Sequence, residues 1–294
     1  MKVGICLPHY GRAMEPGRMR DFAERVEALG FDSLWVTDHV IVPADLQIVY
    51  KEGMLDPLAT LNFLAGVTSK VQLGTSVIIL PYRHPVHVAK SVASADALSG
   101  GRVLFGAAAG WMEGEFSTLN AEFVRRGDVS DESLRLIREL WTNPRPDFQG
   151  EFYTAKDVIF SPSTVSEPHP PILVGGRSRR AIRRAVELGD GWHPNVLAPD
   201  DLREAMTYVK ELSDRNGRAT PPWISMRSPV YFDATSGEGR TSLWGSTAQI
   251  VNVLKQYEDV GVEHMAISFP DSSLGHMLEQ VDKFADEVMP KVAS

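Results

Sequence analysis

Only one cysteine, Cys6, occurs in 294 residues. A single thiol excludes a disulfide framework and any structural zinc cluster built from several thiolates. Basic residues are also in deficit, with 30 Lys and Arg against 38 Asp and Glu and a formal net charge of −8. A general nucleic-acid binder needs the opposite balance, so that class is excluded. Long apolar runs are missing. The longest, Val77 to Leu80 and Leu104 to Ala109, fall far short of the roughly 18 residues that a membrane-spanning helix takes. The N-terminus has no basic stretch leading into a hydrophobic one and a cleavage site, so a cytoplasmic setting is expected. No nucleophile elbow, phosphate loop or Gly-x-Gly-x-x-Gly is present, which removes the usual hydrolase, nucleoside-triphosphatase and dinucleotide signatures. His9, His84, His87, His169, His264 and His276 show no metal-ligand spacing, and no metal is expected. What remains is an ordinary globular composition, 43% hydrophobic and 23% charged. The length suits one large α/β barrel or two ordinary domains.

The pattern of apolar residues separates these. Lys2 to Pro8 is a short apolar run stopped by proline, as in a buried strand. Met19, Phe22, Ala23, Val26 and Leu29 then recur at helical spacing and stop at Gly30, a residue suited to a helix end. The alternation continues with a strand over Ser33–Thr37, a helix over 56–67 and a strand over 71–80. A helix through Val88, Val92, Ala95 and Leu98 closes at Gly100-Gly101, followed by a strand from Arg102 to Gly110. A helix through Leu134, Ile137, Leu140 and Trp141 follows, after which residues 144–170 interrupt the pattern with several prolines and a hairpin-like Phe148–Tyr153. We read this stretch as an insertion. Strands over Pro171–Val174, Gly191–Pro194, Trp223–Phe232 and His264–Phe269 then alternate with helices over Ala181–Leu188, Leu202–Leu212, a segment opened by a Ser246–Gln249 capping box, and Leu274–Val288. Eight strand-then-helix units predict an α/β chain whose parallel sheet closes into a (β/α)8 TIM barrel, one domain over residues 1–294 with an insertion between strands four and five. An open doubly wound sheet would leave the eighth unit without a place.

In such barrels the active site lies at the C-terminal ends of the strands. Strand two ends in Thr37-Asp38-His39, an imidazole beside a carboxylate, which suits acid/base work near neutral pH or a helix entry equally. Strand three ends in Gly74-Thr-Ser-Val77, whose hydroxyls either donate to a ring system or simply pack. Strand four ends in Gly106-Ala-Ala-Ala-Gly-Trp111; tiny side chains admit a planar ligand to the backbone, and they also serve close packing. Strand five ends in Gly175-Gly176, followed by Arg177 and by Ser178 as an N-cap. A glycine turn into a helix N-terminus binds phosphate through its N–H groups and dipole. Arg177, Arg179, Arg180, Arg183 and Arg184 add cations there, and anion binding is expected for some of them. Strand six ends in Trp192-His193-Pro194, where His193 lines the pocket or belongs to the core.

Several of these segments together resemble the bacterial luciferase-like monooxygenase family over nearly the whole chain. They are Leu34-Trp-Val-Thr-Asp-His39, Leu73-Gly-Thr-Ser-Val77, the block from Arg83-His-Pro85 to Leu98-Ser-Gly-Gly-Arg102, Gly106 to Trp111, and Pro171-Ile-Leu-Val-Gly-Gly176 with Gly189-Asp-Gly-Trp192. The resemblance implies a (β/α)8 barrel, commonly a homodimer, that binds either flavin mononucleotide (FMN) or the deazaflavin coenzyme F420. It implies catalytic positions for Asp38 and His39 beside the ring, with His39 for proton transfer or substrate contact. Thr75, Ser76 and Val77 would meet the ring, with a non-proline cis peptide at Ser76-Val77. Ala109, Gly110 and Trp111 would line the cofactor's side chain, and Gly175, Gly176 and Arg177 would hold its phosphate.

The F420 branch is favoured by the likeness of Gly74–Val77 to its members, and by arginines after Gly176 that suit an oligoglutamate tail. The sulfonate monooxygenases of the FMN branch use a late arginine, and none follows Arg240 here. Trp111 stands where the sugar-phosphate dehydrogenases of the F420 branch carry a glutamate, a departure from that substrate. The expected activity is hydride transfer between the deazaflavin ring and a small organic substrate. An FMN-dependent monooxygenase and a non-catalytic cofactor-binding barrel are the alternatives.

Overall fold

A computed structural model describes residues 1–44, 53–234, 243–270 and 273–292. Eight strands form its centre: β1 (Lys2–Cys6), β2 (Ser33–Val36), β3 (Gln72–Thr75), β4 (Val103–Ala108), β5 (Ile172–Gly175), β6 (Gly191–His193), β7 (Trp223–Phe232) and β8 (Val262–Ser268). Each is followed by a helix: α1 (Met19–Ala28), α2 (Pro57–Val67), α3 (Pro85–Ser99), α4 (Arg126–Thr142), α5 (Arg179–Leu188), α6 (Pro199–Arg215), α7 (Thr247–Val260) and α8 (Leu274–Glu287). Successive strands pair in parallel around the ring. The ring closes where β8 meets β1, Lys2 opposite His264 and Ile5 opposite Ile267. The chain is therefore the (β/α)8 barrel that its alternation predicts.

Strands buried on both faces carry apolar or small residues at every position, with a period of two deciding which way each points. Val3, Ile5, Leu34, Val36, Phe105, Ile172, Val174 and Ile267 join the large core between sheet and helices. Cys6, Trp35, Leu104, Leu173 and Ala266 form a separate core inside the barrel. Burial there pushes the Cys6 thiol pKa up, which keeps it in the unreactive thiol form. Trp35 fills the centre of this inner core, stacked on His193 with ring centroids 5.1 Å apart and meeting His264 edge-on at 5.3 Å.

Glycine makes that placement possible. A Cβ on Gly74 would lie 2.1 Å from Trp35 Cε3, and one on Gly4 would lie 2.6 Å from Trp35 Nε1. Gly74→Ala is expected to cost about 1–3 kcal/mol by overpacking, read as a lower thermal midpoint. The loss should shrink in a Trp35→Leu background, because the ring that the new methyl meets is then gone. An unchanged midpoint in the single variant would contradict this.

The structure corrects several boundaries. The strand expected over 71–80 stops at Thr75, and Ile78–Ile79 pairs separately with Ala107 and Ala108 before a 3-10 turn at Leu80–Tyr82. The break has a local cause: the Thr75 carbonyl oxygen sits 1.9 Å from where a Gly106 Cβ would be, so the chain crosses unusually close to β4. The hairpin of the insertion pairs Phe148–Gln149 with Thr154–Ala155, slightly beyond the expected arm. Glu132 of α4 holds its tip by accepting from the N–H groups of Glu151, Phe152 and Tyr153. The last helix stops at Glu287 and a short one follows at Met289–Val292. The Ser178 cap and the Ser246–Gln249 capping box are both present. No helix among the described residues is long and apolar enough to cross a membrane.

Candidate active site

Past the end of β2 the chain runs over the barrel rim as Thr37-Asp38-His39. His39 is buried, and its Nδ1 lies 2.8 Å from Oε2 of Glu115. Glu115 belongs to the short helix Glu113–Thr118 that follows β4, and its side chain has no exposure. Its other oxygen accepts from the N–H groups of Val40 at 2.5 Å and Ile41 at 3.1 Å. Burial pushes the Glu115 carboxyl up, but hydrogen bonds from His39 and the Ile41 N–H, with the Tyr82 hydroxyl beside it, outweigh that and hold it below its ordinary value. Trp111 meets His39 edge-on with ring centroids 6.2 Å apart and is 58% exposed. A histidine with a buried carboxylate partner and an indole wall therefore stands at the mouth.

Asp38 has a different place from the one expected. Its carboxylate faces Arg83, not His39, and accepts from both guanidinium nitrogens at 2.6 and 3.0 Å and from the Ile79 N–H at 2.9 Å. Burial pushes the Asp38 carboxyl up against the pull of Arg83 and the Ile79 N–H. Arg83 also reaches Asp56, the N-cap of α2. A side chain enclosed by three donors ties the ends of β2 and β3 together. Its geometry is that of a buried ion pair.

The hydroxyls at the end of β3 are engaged as well. Thr75 Oγ1 donates to the Gly106 carbonyl at 2.7 Å. Ser76 Oγ is 2.8 Å from His193 Nε2, whose Nδ1 is 2.8 Å from Ser225 Oγ. Burial, with His264 and Arg227 nearby, lowers the His193 pKa to about 3. His193 is thus a neutral, satisfied member of the inner core. The Ser76-Val77 peptide is cis, as the family resemblance implies. Arg227 of β7 spans the mouth, donating to Thr37 Oγ1 at 3.1 Å, the Ser76 carbonyl at 3.3 Å and the Tyr10 hydroxyl at 3.0 Å.

Beside this rim lie Val77, Ala109, Gly110 and Gly176, all half-buried. Gly175 is buried, with Val77 and Ala108 at 3.0 and 3.3 Å from where its Cβ would be. Trp192 Nε1 donates to the Gly176 carbonyl at 2.8 Å, which fixes the turn before α5. The arginines that follow are mostly committed. Arg180 pairs with Asp128 at 2.5 Å and Asp131 at 3.4 Å, and Arg184, buried, pairs with Asp131 and donates to the Gly127 carbonyl. Arg183 sits 3.8 Å from Glu187 on its own helix. These three fasten α5 to α4 or to itself. Arg179 lies over the Tyr208 ring at 5.0 Å, and Arg177 is exposed, with one long bond to the Val196 carbonyl at 3.3 Å. The expected cationic cluster reduces to Arg177 and Arg179.

Glu115, Arg83, Arg227 and Tyr10 had no role in the sequence reading. Arg83 was visible inside the family-like Arg83-His-Pro85 block; Glu115, Arg227 and Tyr10 carried no spacing signal. Arg240 lies outside the described residues. Among the described residues no group of three or more His, Cys, Asp or Glu could hold a metal ion.

A closed α/β barrel whose C-terminal mouth gathers a carboxylate-held histidine, small residues and a glycine turn into a helix N-terminus defines the class. The chain belongs to the luciferase-like monooxygenase family, whose model matches residues 1–240. It is 32% identical to an F420-dependent glucose-6-phosphate dehydrogenase of Amycolatopsis mediterranei, over 94% of this chain and 95% of that one. It is 27% identical to an FMNH2-dependent dimethylsulfone monooxygenase of Pseudomonas putida, over 61% of this chain and 50% of that one. Among solved structures, an F420-dependent secondary alcohol dehydrogenase in complex with an F420-acetone adduct shares the fold, with a TM-score of 0.84 at 18% identity and coverage of 100% and 99%.

Proposed function

We propose that this chain is an F420-dependent oxidoreductase that moves hydride between the deazaflavin ring and a small organic substrate, with His39 carrying the accompanying proton. The observation that carries the reading is the buried His39–Glu115 pair at the mouth, beside a half-buried strip of Val77, Ala109, Gly110 and Gly176. That strip fits the coenzyme, since nothing larger than valine stands on it and a flat ring can approach the backbone. The phosphate would sit at the N-terminus of α5, held by the turn at Gly176 and by Arg177. Among the described residues, Arg177 and Arg179 are the two cations of the cluster with no acidic partner, and they suit the anionic tail. When bound, the coenzyme supplies the hydride chemistry; the chain supplies orientation and the proton.

Trp111, Val40 and Ile41 are exposed around His39, which favours a substrate with an apolar body over a sugar phosphate. The resemblance further supports a homodimer. The sulfone monooxygenase relative supports the FMN alternative.

Titration of the purified protein with F420 and with FMN tests the choice. F420 is expected to bind the more tightly, and Arg177→Ala to weaken it. Tight FMN binding without F420 binding, accompanied by oxygen consumption on supplying reduced FMN, would overturn the F420 reading in favour of the monooxygenase.

A further inference from the structure

We propose that Glu115 is a positioning residue: it fixes His39 in the Nδ1–H tautomer and so makes Nε2 the nitrogen that exchanges a proton at the mouth. The inference rests on the proposed function only for the identity of the reaction; the tautomer itself rests on geometry.

A carboxylate is an acceptor only. Its oxygen lies 2.8 Å from His39 Nδ1, so the hydrogen between them belongs to the imidazole whenever the ring is neutral, and Nε2 then carries the lone pair. The carboxylate is not free to turn away, because its second oxygen is held by the Val40 and Ile41 N–H groups. The same contact pins the backbone that leads out of His39, so one side chain sets both the position and the tautomer of the ring. Among the described residues two ionisable groups stand beside the pair. Tyr82 lies beside Glu115, and Asp38 lies beside His39 with its charge matched by Arg83. The Tyr82 hydroxyl, beside the Glu115 carboxylate, can only donate to it, so it adds no acceptor that would move the hydrogen off Nδ1.

Glu115→Gln separates the two roles. An amide oxygen still accepts from Val40 and Ile41, so the rim keeps its anchor. The amide nitrogen that replaces the second oxygen is a donor only, and Nδ1 must then accept. The tautomer inverts without loss of the hydrogen-bond count.

The experiment is a long-range proton–nitrogen correlation spectrum of the full chain labelled with 15N-histidine, with no coenzyme added. The His39 signals are assigned by their loss in His39→Gln. In the parent protein, at a pH where the ring is neutral, Nδ1 is expected to be protonated and Nε2 bare. In Glu115→Gln the pattern is expected to reverse, and turnover to fall about 100-fold or more with little change in KM, as for a base held in the wrong tautomer. A parent His39 protonated at Nε2, a reading that needs no Glu115 variant to fold, would overturn the proposal. So would an unchanged tautomer in a folded Glu115→Gln, or an inverted tautomer with undiminished turnover. Because the spectrum is taken without coenzyme, failure of the F420 reading would leave the tautomer result standing.

Discussion

Asp38→Ala is expected to lower the stability of the fold by about 3–5 kcal/mol, the usual result of removing one partner from a buried ion pair. The Asp38 side chain has no exposure and that of Arg83 only 14%. Without Asp38 the guanidinium keeps only its bond to Asp56, and the Ile79 N–H loses its acceptor. The cost comes from the stranded partners more than from the pair itself. A double replacement, Asp38→Leu with Arg83→Met, should therefore recover much of the loss. Thermal or urea unfolding monitored by circular dichroism measures both. An Asp38→Ala protein that melts like its parent yet has lost turnover would return Asp38 to the chemistry.

The second large effect is kinetic. His39→Ala should leave the fold and coenzyme binding intact while turnover falls about 10²–10⁴-fold, the range for loss of a positioned proton carrier. The fold survives because Glu115, without the ring, keeps the two backbone donors that anchor the rim. Comparing turnover with the coenzyme dissociation constant separates chemistry from binding. Equal turnover in parent and variant would remove His39 from the proton path and favour a barrel that only binds its cofactor.

The barrel was legible because its strands are covered on both faces and alternate with helices whose apolar spacing is regular. Capping at Ser178 and Ser246 could be read locally, since the acceptor and donor lie within three residues. The site was legible only as far as strand ends could be counted. Its partners are separated in sequence: Glu115 stands 76 positions from His39, and Arg83 stands 45 from Asp38. Adjacency in the chain therefore could not show that the carboxylate against His39 Nδ1 is Glu115. The arginine run could be sorted only in part for the same reason. Its density on α5 is plain in the sequence, whereas the acids that absorb Arg180 and Arg184 lie on α4, a neighbour only after the barrel has closed. The Thr75 and Ser76 hydroxyls were visible as donors, but their use depended on the neighbouring strand and on a histidine from β6.

Trp35, wedged between His193 and His264 with Leu104 and Leu173 packed around it, acts as a stopper. Among the described residues the barrel interior is therefore packed with side chains, and the polar groups at the strand ends face the mouth above that plug. An indole that fills the interior leaves the strand ends, and not the barrel's axis, as the surface on which a ligand can be held.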